Sequence, residues 1–318
     1  MPEGENQIPE SPGFHGSLDS RLINVYHTVR KTRVVQETMR HKESRWPVHG
    51  WVGLILIAVC WPLNWTLPGV RTAYLFFPLW LGYILVVDAL VQRRMGNSLW
   101  ARSRKNFVLL FLLSAPVWWL FELINLRTAN WEYIGRELFT PLQFNLLCTI
   151  SFSVVIPAVF ETAELIRSLG WTKCFASGPR VSATRAVFVG LFVIGLAMLS
   201  GMLVCPKIFY PFTWTALVFI FEPINYWTGR PYFLKELRAG DWRTLISLSL
   251  GALVCGFFWE MWNYYSFPKW IYHIPGAAFL RIFEMPLLGY GGYMPFALEL
   301  YALKNFVWPN GPRLESNA

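Results

Sequence analysis

The chain has 318 residues, of which 54% are hydrophobic, 17% are aromatic and only 15% are charged. This composition, with a mean hydropathy of +0.37, argues against a soluble domain and indicates a polytopic membrane protein. The net charge of +9 requires no nucleic-acid partner, because the basic residues lie where membrane topology and anionic lipid headgroups would place them.

Apolar runs along the chain predict the order of its membrane segments. Each run is long enough to cross the ~30 Å hydrocarbon core of a bilayer. The first and sixth runs are short, which leaves seven spans and a re-entrant segment as an alternative to eight spans. The eight expected spans lie near residues 50–66, 72–92, 106–124, 141–166, 184–204, 211–228, 246–264 and 283–303.

Polar and basic segments surround these runs. Residues 18–46 alternate apolar with basic side chains, which predicts either an amphipathic helix on the cytoplasmic leaflet or a partly ordered basic tail. The expected organisation is a polar and basic cytoplasmic tail at 1–47, a first membrane repeat at 48–170, a cytoplasmic linker at 171–183, a second membrane repeat at 184–305 and a cytoplasmic tail at 306–318.

The two repeats are inferred from acids that recur at an offset of about 138 residues. Because a carboxylate inside a bilayer is costly, a duplicated chain that keeps it in both halves is expected to use it. We therefore expect an all-α integral membrane protein built as two parallel four-helix repeats. Glu122, Asn125, Pro157 and Glu161 recur as Glu260, Asn263, Pro295 and Glu299; a one-residue slip aligns Trp131 and Tyr133 with Trp270 and Tyr272; Asp88 and Gly96 have a looser counterpart in Glu222 and Gly229.

The distribution of basic residues predicts the orientation. Loops 93–105, 167–185 and 229–243 are rich in Lys and Arg, whereas the loops between them are poor in both. By the positive-inside rule, both termini are expected in the cytoplasm, in a multi-pass protein of the bacterial inner membrane. Repeats with the same orientation are related by a pseudo-twofold axis along the membrane normal, so we expect a shared cleft between them.

Several kinds of site are not indicated. The five cysteines are scattered without CxxC spacing, and four of the five histidines precede the first span. These patterns indicate neither a disulfide framework nor a metal centre. The sequence also lacks an aspartate-rich magnesium motif, a nucleotide-binding glycine loop and a GxSxG elbow. No cofactor is therefore expected.

Carboxylates and aromatic rings remain as the candidate functional groups. Glu122 and Glu260 each lie in a stretch rich in Trp and Phe. Acids so placed are expected to be protonated, to hydrogen-bond to a partner such as the asparagine three residues later, or to hold a cation. Both a ligand-facing role and a helix-packing role are open for them. The repeated Trp-x-Tyr segments lie where an interfacial aromatic belt would lie, although their spacing is tighter than a belt requires.

The third and fourth spans of the second half resemble a known family. The stretch FFWEMWNYYSFPKWIYHIP and the following EMPLLGYGGYMPFALELYAL resemble the small membrane domain of the heterodimeric, non-flavin lycopene cyclases of bacteria and archaea. The resemblance covers about 250–303 and, more faintly, 112–165. Its elements are Trp259-Glu260-Met261-Trp262, Trp270-Ile271-Tyr272, Pro286 and the closing acid Glu299.

The chain departs from that family at one motif. The family has a Glu-Glu pair close after its proline, whereas Pro286 is followed by Leu287 and Leu288. Glu284 precedes the proline instead. The resemblance implies a lipid-handling fold, and the acid chemistry expected of the pair would have to come from other carboxyl groups.

Together these features predict a protein that binds an isoprenoid or carotenoid-like lipid between its repeats. Acid-catalysed cyclisation, hydration or isomerisation is the expected chemistry, because a buried carboxylic acid can protonate a double bond and aromatic faces can stabilise the carbocation. The alternatives are a proton- or cation-coupled transporter and a non-catalytic membrane scaffold. The candidate catalytic residues are Glu260, Glu122, Glu284 and Glu299; the candidate ligand-binding residues are Asn263, Asn125, Trp259, Trp262, Trp270, Tyr272, Trp131 and Tyr133.

Overall fold

The structure, a computed structural model, describes residues 46–274, 276 and 280–314. The amphipathic segment expected at 18–46 therefore lies outside the described residues, apart from Trp46. The described residues form twelve α-helices. In chain order these are α1 (Val48–Thr66), α2 (Thr72–Met95), α3 (Leu99–Arg102), α4 (Arg104–Thr128), α5 (Pro141–Phe152), α6 (Val155–Arg167), α7 (Arg185–Val204), α8 (Pro206–Phe209), α9 (Ala216–Trp227), α10 (Leu234–Ala239), α11 (Arg243–Tyr264) and α12 (Tyr293–Val307).

Short strands and 3-10 segments connect these helices. The strands are β1 (Trp131–Ile134), β2 (Lys269–Tyr272), β3 (Arg281–Ile282) and β4 (Met285–Pro286), and the 3-10 segments are Arg136–Leu138, Gly170–Ser177, Tyr210–Trp214 and Leu287–Gly292. Strand β1 pairs with β2, and β3 pairs with β4, both antiparallel. The β1–β2 pair joins segments that are far apart in sequence.

The chain is an all-α membrane protein with little sheet. Six helical segments in the described part are long and apolar enough to cross a membrane: α1, α2, α4, the α5–α6 pair, α7 and α11. Helices α9 and α12 have 12 and 15 residues, which at 1.5 Å per residue is about 18 and 22 Å and so less than a full span. They occupy the positions of the sixth and eighth predicted spans.

Local sequence explains where several helices begin and end. Helix α2 ends at Gly96, whose φ of 71° suits glycine, after Arg93 and Arg94 in the last turn, where cations favour the helix dipole. Helix α5 begins with a capping box between Thr140 and Gln143. The repeated prolines Pro157 and Pro295 both lie near the start of a helix, each as its third residue.

The fourth predicted span is broken between α5 and α6. Ser114 of α4 bridges the break, because its hydroxyl donates to the carbonyl oxygen of Phe152 (2.6 Å) and accepts from the amide of Ile156 (3.0 Å). Helix α6 then packs between α2 and α11. At Gly251 of α11 a Cβ would lie 2.8 Å from the amide nitrogen of Ala163, so this glycine permits close contact between α6 and α11.

Candidate functional site

The repeated asparagines hold the backbone of the two paired strands. Asn125 Nδ2 donates to the carbonyl of Trp131 (2.8 Å), and its Oδ1 accepts from the Trp131 amide (3.3 Å). Asn263 makes the same two contacts with Trp270, at 2.7 and 3.0 Å. A hydrogen bond from each asparagine to its neighbouring glutamate is one of the three alternatives that the sequence leaves open for these acids; here the amide groups turn instead toward the strands that follow the helices.

The strand register brings the two Trp-x-Tyr segments together. Residues two apart on a strand point to the same face, so Trp131 and Tyr133 share a face of β1, and Trp270 and Tyr272 share a face of β2. Trp131 lies opposite Tyr272, and Tyr133 lies opposite Trp270. All four rings line one cavity, which is not the arrangement of a belt that faces lipid.

Glu260 lies behind two of the rings that line this cavity. The residue is fully buried, and its Oε1 accepts hydrogen bonds from the hydroxyls of Tyr272 and Tyr293, both at 2.7 Å. Its Oε2 accepts no hydrogen bond from the described residues. Helix α12 supplies Tyr293, so the carboxyl group of Glu260 links α11, β2 and α12.

Glu122 has a related environment in the first half. Its Oε1 accepts from the hydroxyl of Tyr133 (2.5 Å), from Nε1 of Trp118 (3.0 Å) and from Nε1 of Trp131 (3.1 Å). In both halves, then, a carboxyl oxygen receives the phenol of the Trp-x-Tyr segment. The first half adds indole donors where the second half adds another phenol.

The phenols of these two segments remain hydrogen-bond donors. Burial, and after it the charge of Glu260, raises the pKa of Tyr272 well above its ordinary value. Burial and the charge of Glu122 raise the pKa of Tyr133 in the same way. Because each phenol keeps its proton and directs it at a carboxyl group, its oxygen can offer lone pairs to the cavity.

The cavity has a volume of about 150 Å³ and takes its walls from both halves of the chain. A cavity of that size holds a ligand about as large as benzene. Neither Glu122 nor Glu260 lines it; the phenols stand between the carboxyl groups and the cavity. Its aromatic walls are Phe76, Trp118, Trp131, Tyr133, Phe139, Phe144, Phe152, Trp214, Trp259, Trp270, Tyr272, Tyr293 and Phe296.

The other candidate residues lie elsewhere. Trp259 lines the cavity, whereas Trp262 is buried in a separate contact with Trp80, at 4.9 Å between ring centroids. Glu284 forms an ion pair with Lys269 at the cavity wall. Glu299 is fully buried and accepts a hydrogen bond from the amide of Leu217 (2.8 Å), outside the cavity lining.

Asp88 and Glu222 cap backbone groups. Asp88 accepts from the amide of Trp100 (2.9 Å), and Glu222 accepts from the amide of Leu234 (2.8 Å). In each case the amide belongs to the residue twelve positions after the acid. Ser98 adds a second hydrogen bond to Asp88. These contacts favour a structural role for both acids over an ion pathway.

Several residues of the cavity wall did not emerge from sequence analysis, among them Tyr293, Trp214 and Phe296. Trp214 stacks on Trp131, with 5.6 Å between ring centroids and 24° between planes. Tyr293 lies two residues before the repeated Pro295, which was the one signal near it.

Within the described residues, no group of three or more His, Cys, Asp or Glu could hold a metal ion. Searches of family profiles, curated proteins and solved structures found no match to the chain.

Proposed function

We propose that the protein binds the end of an isoprenoid or carotenoid-like lipid between two four-helix repeats and catalyses an acid-initiated reaction on it, namely a cyclisation, hydration or isomerisation. The observation that carries this proposal is the aromatic cavity backed by the carboxyl groups of Glu260 and Glu122 through phenols. The resemblance to the membrane domain of non-flavin lycopene cyclases suggests the same ligand class.

The proposed fold has eight membrane segments in two parallel repeats, with α1, α2, α4 and α5–α6 matching α7, α9, α11 and α12. Matching contacts support this: the acid that accepts an amide twelve residues later, the asparagine that holds a Trp backbone, and the proline third in its helix. A twofold axis between antiparallel strands pairs each Trp with the other half's Tyr, as β1 and β2 do. Both termini then lie in the cytoplasm of a bacterial inner-membrane protein, and the basic loops meet anionic lipid headgroups.

The proposed chemistry uses the phenol as a relay. A carboxylic acid that burial keeps protonated can protonate a double bond where water is excluded. In the reactive state, the protonated Glu260 donates to the phenol oxygen of Tyr272 or Tyr293, which reverses the hydrogen bond described above, and that phenol turns its hydroxyl proton toward the ligand. The phenol gives this proton to a carbon of the double bond and takes the proton of Glu260, so the phenol is regenerated and Glu260 becomes a carboxylate. The carbocation left on the ligand faces indole rings, which stabilise positive charge. Loss of a proton from the ligand, or addition of water, ends the reaction.

The cavity volume limits which part of the ligand enters. About 150 Å³ is below the roughly 300–1,000 Å³ of most ligand pockets. We therefore propose that the cavity holds one end of the chain and that the rest lies in the bilayer.

Lipid analysis and substitution at Glu260 test the proposal together. Protein purified in mild detergent should carry a C20–C40 isoprenoid that native mass spectrometry detects, and absence of any isoprenoid would overturn the proposal. With that lipid as substrate, Glu260→Gln should retain lipid but lose turnover by about 10²-fold or more, because the amide cannot supply a proton. Glu132→Gln, at an exposed carboxylate paired with His273, is the matched control and should keep full turnover.

The same substitution at Glu122 shows which half is reactive. Glu122 is half-buried and receives two indole N–H groups, so we expect Glu122→Gln to reduce turnover less than Glu260→Gln. If both variants keep full turnover, neither acid is the proton donor and the proposed chemistry fails.

A further inference from the structure

The carboxyl group of Glu260 has no basic partner in the described part of the chain. Its hydrogen bonds come from the phenols of Tyr272 and Tyr293. Lys269, which lines the cavity, is already paired with Glu284. When Glu260 is a carboxylate, as it is after proton transfer in the proposed reaction, a positive group in the cavity can balance its charge across the phenols of Tyr272 and Tyr293.

The walls of the cavity suit a positive charge. They include the indole rings of Trp118, Trp131, Trp214, Trp259 and Trp270, and indole provides the strongest cation–π face among side chains. The N–H groups of three of these rings already donate to other side chains: Trp118 and Trp131 donate to Glu122, and Trp270 donates to Tyr272. The phenol protons are engaged too, so π faces and oxygen lone pairs remain.

We propose that the cavity binds an organic cation, a tertiary or quaternary ammonium group, against Tyr272 and Tyr293, the phenols that separate it from Glu260. The volume of about 150 Å³ accommodates a benzene-sized group, and a trimethylammonium group with its methylene has about five non-hydrogen atoms, which suits recognition by an aromatic cage. This inference deepens the proposed function, because an ammonium ion carries the charge of the carbocation that the proposed reaction forms.

Choline and its neutral tert-butyl analogue provide the test, because they have nearly the same shape and differ in charge. Calorimetric titration of the full-length protein in detergent should give an affinity for choline about tenfold or more above that of the analogue, as expected for a desolvated cation–π site. Equal affinities, or no binding of either, would overturn the proposal. This comparison uses the unaltered protein, so it does not depend on the folding of any variant.

Two substitutions locate the bound cation. Glu260→Gln and Trp270→Phe should each weaken choline binding, the first by about tenfold, and should leave the affinity for the neutral analogue nearly unchanged. Glu132→Gln and Trp171→Phe are the controls, because both side chains are exposed, and they should bind choline as the unaltered protein does. Equal binding by all four variants would place the cation elsewhere and overturn the inference.

The two proposals fail separately. An isoprenoid that copurifies with a protein unable to distinguish choline from its analogue supports the proposed lipid binding and overturns the cation site. Selective choline binding without any copurifying isoprenoid supports the cation site and overturns the proposed lipid function.

Discussion

Glu260 accepts hydrogen bonds from two phenols of its own half of the chain, Tyr272 at 12 and Tyr293 at 33 residues away in sequence. Repetition of Glu260, Trp270 and Tyr272 made these residues predictable. The asparagine contact was not, because an i, i+3 spacing places Asn263 on the same helix face as Glu260 but does not show that the amide turns toward β2. Tyr293 was missed because no local pattern connects it to Glu260.

Removing the asparagine clamp, the two hydrogen bonds between the Asn263 side chain and the backbone of Trp270, should destabilise the fold. Asn263→Ala takes away a donor and an acceptor from the backbone of Trp270, and we expect it to lower the free energy of unfolding by about 1–3 kcal/mol. Asn145→Ala, at an exposed position of α5, should change it by less than about 0.5 kcal/mol. Denaturation in detergent measures both, and equal losses would contradict the role of the clamp.

The raised pKa of Tyr272 predicts a loss of stability in alkali. Burial raises the pKa of this phenol in the folded state above its ordinary value of 10.0, so the unfolded chain releases the proton first as the pH rises. Stability from this group is therefore fully present below about pH 10 and declines above it. Between about pH 9 and pH 11, which bracket this transition, the melting temperature of Tyr272→Phe should fall by less than that of the unaltered protein. Parallel losses in the two proteins would contradict the prediction.

At the scale of elements, hydropathy located every long helix but placed the starts of α9 and α12 too early in the sequence. The sixth and eighth expected spans were 211–228 and 283–303, whereas α9 and α12 begin five and ten residues after those starts. The 3-10 segments Tyr210–Trp214 and Leu287–Gly292 precede the helices and supply Trp214 and Gly292 to the cavity wall. A hydropathy window counts apolar side chains and does not sense whether the backbone that carries them is helical.

The break between α5 and α6 offers a test at this scale. Ser114→Ala removes the group that serves the carbonyl of Phe152 and the amide of Ile156, so it should cost about 1–3 kcal/mol of unfolding free energy. Ser153→Ala removes only an exposed hydroxyl that bonds within its own turn, and should cost less than about 0.5 kcal/mol. If the two variants unfold alike, Ser114 does not support the break.

At the scale of the whole molecule, composition alone indicated the membrane class, because only 15% of the residues are charged, against about 25% in typical soluble domains. The repeated acids indicated where the two halves correspond. The paired strands were not predicted, since two segments of four residues have no sheet signal without each other. Their repeated Trp-x-Tyr pattern marked them as special without showing that they meet.

Two native cysteines test the proposed topology. Cys174 and Cys205 are exposed, whereas Cys60, Cys148 and Cys255 are buried. Cys174 lies in the 3-10 segment before α7, and Cys205 directly follows α7. Because α7 separates the two exposed thiols, an impermeant thiol reagent added to intact cells should label Cys205 and spare Cys174. The variants Cys205→Ser and Cys174→Ser identify each signal. Labelling of both thiols from outside would contradict the proposed orientation.

A third thiol tests whether the short helix α9 crosses the membrane. Lys235→Cys, in a chain that also carries Cys174→Ser and Cys205→Ser, places an exposed thiol on α10. If α9 returns the chain to the cytoplasm, this thiol should be spared from outside and labelled after the membrane is permeabilised. Labelling of intact cells would leave α9 as a re-entrant segment and exclude eight spans.

The pairing of β1 with β2 determines when, during synthesis of the chain, the cavity can form. Synthesis begins at the N-terminus, so the translocon releases Trp131 and Tyr133 long before the ribosome has made Trp270 and Tyr272. Until then, the first strand has an unpaired edge and half of a cavity. Maturation of the site is thus the closing event of assembly, and acquisition of a ligand would report that a nascent chain has been finished and both halves have joined.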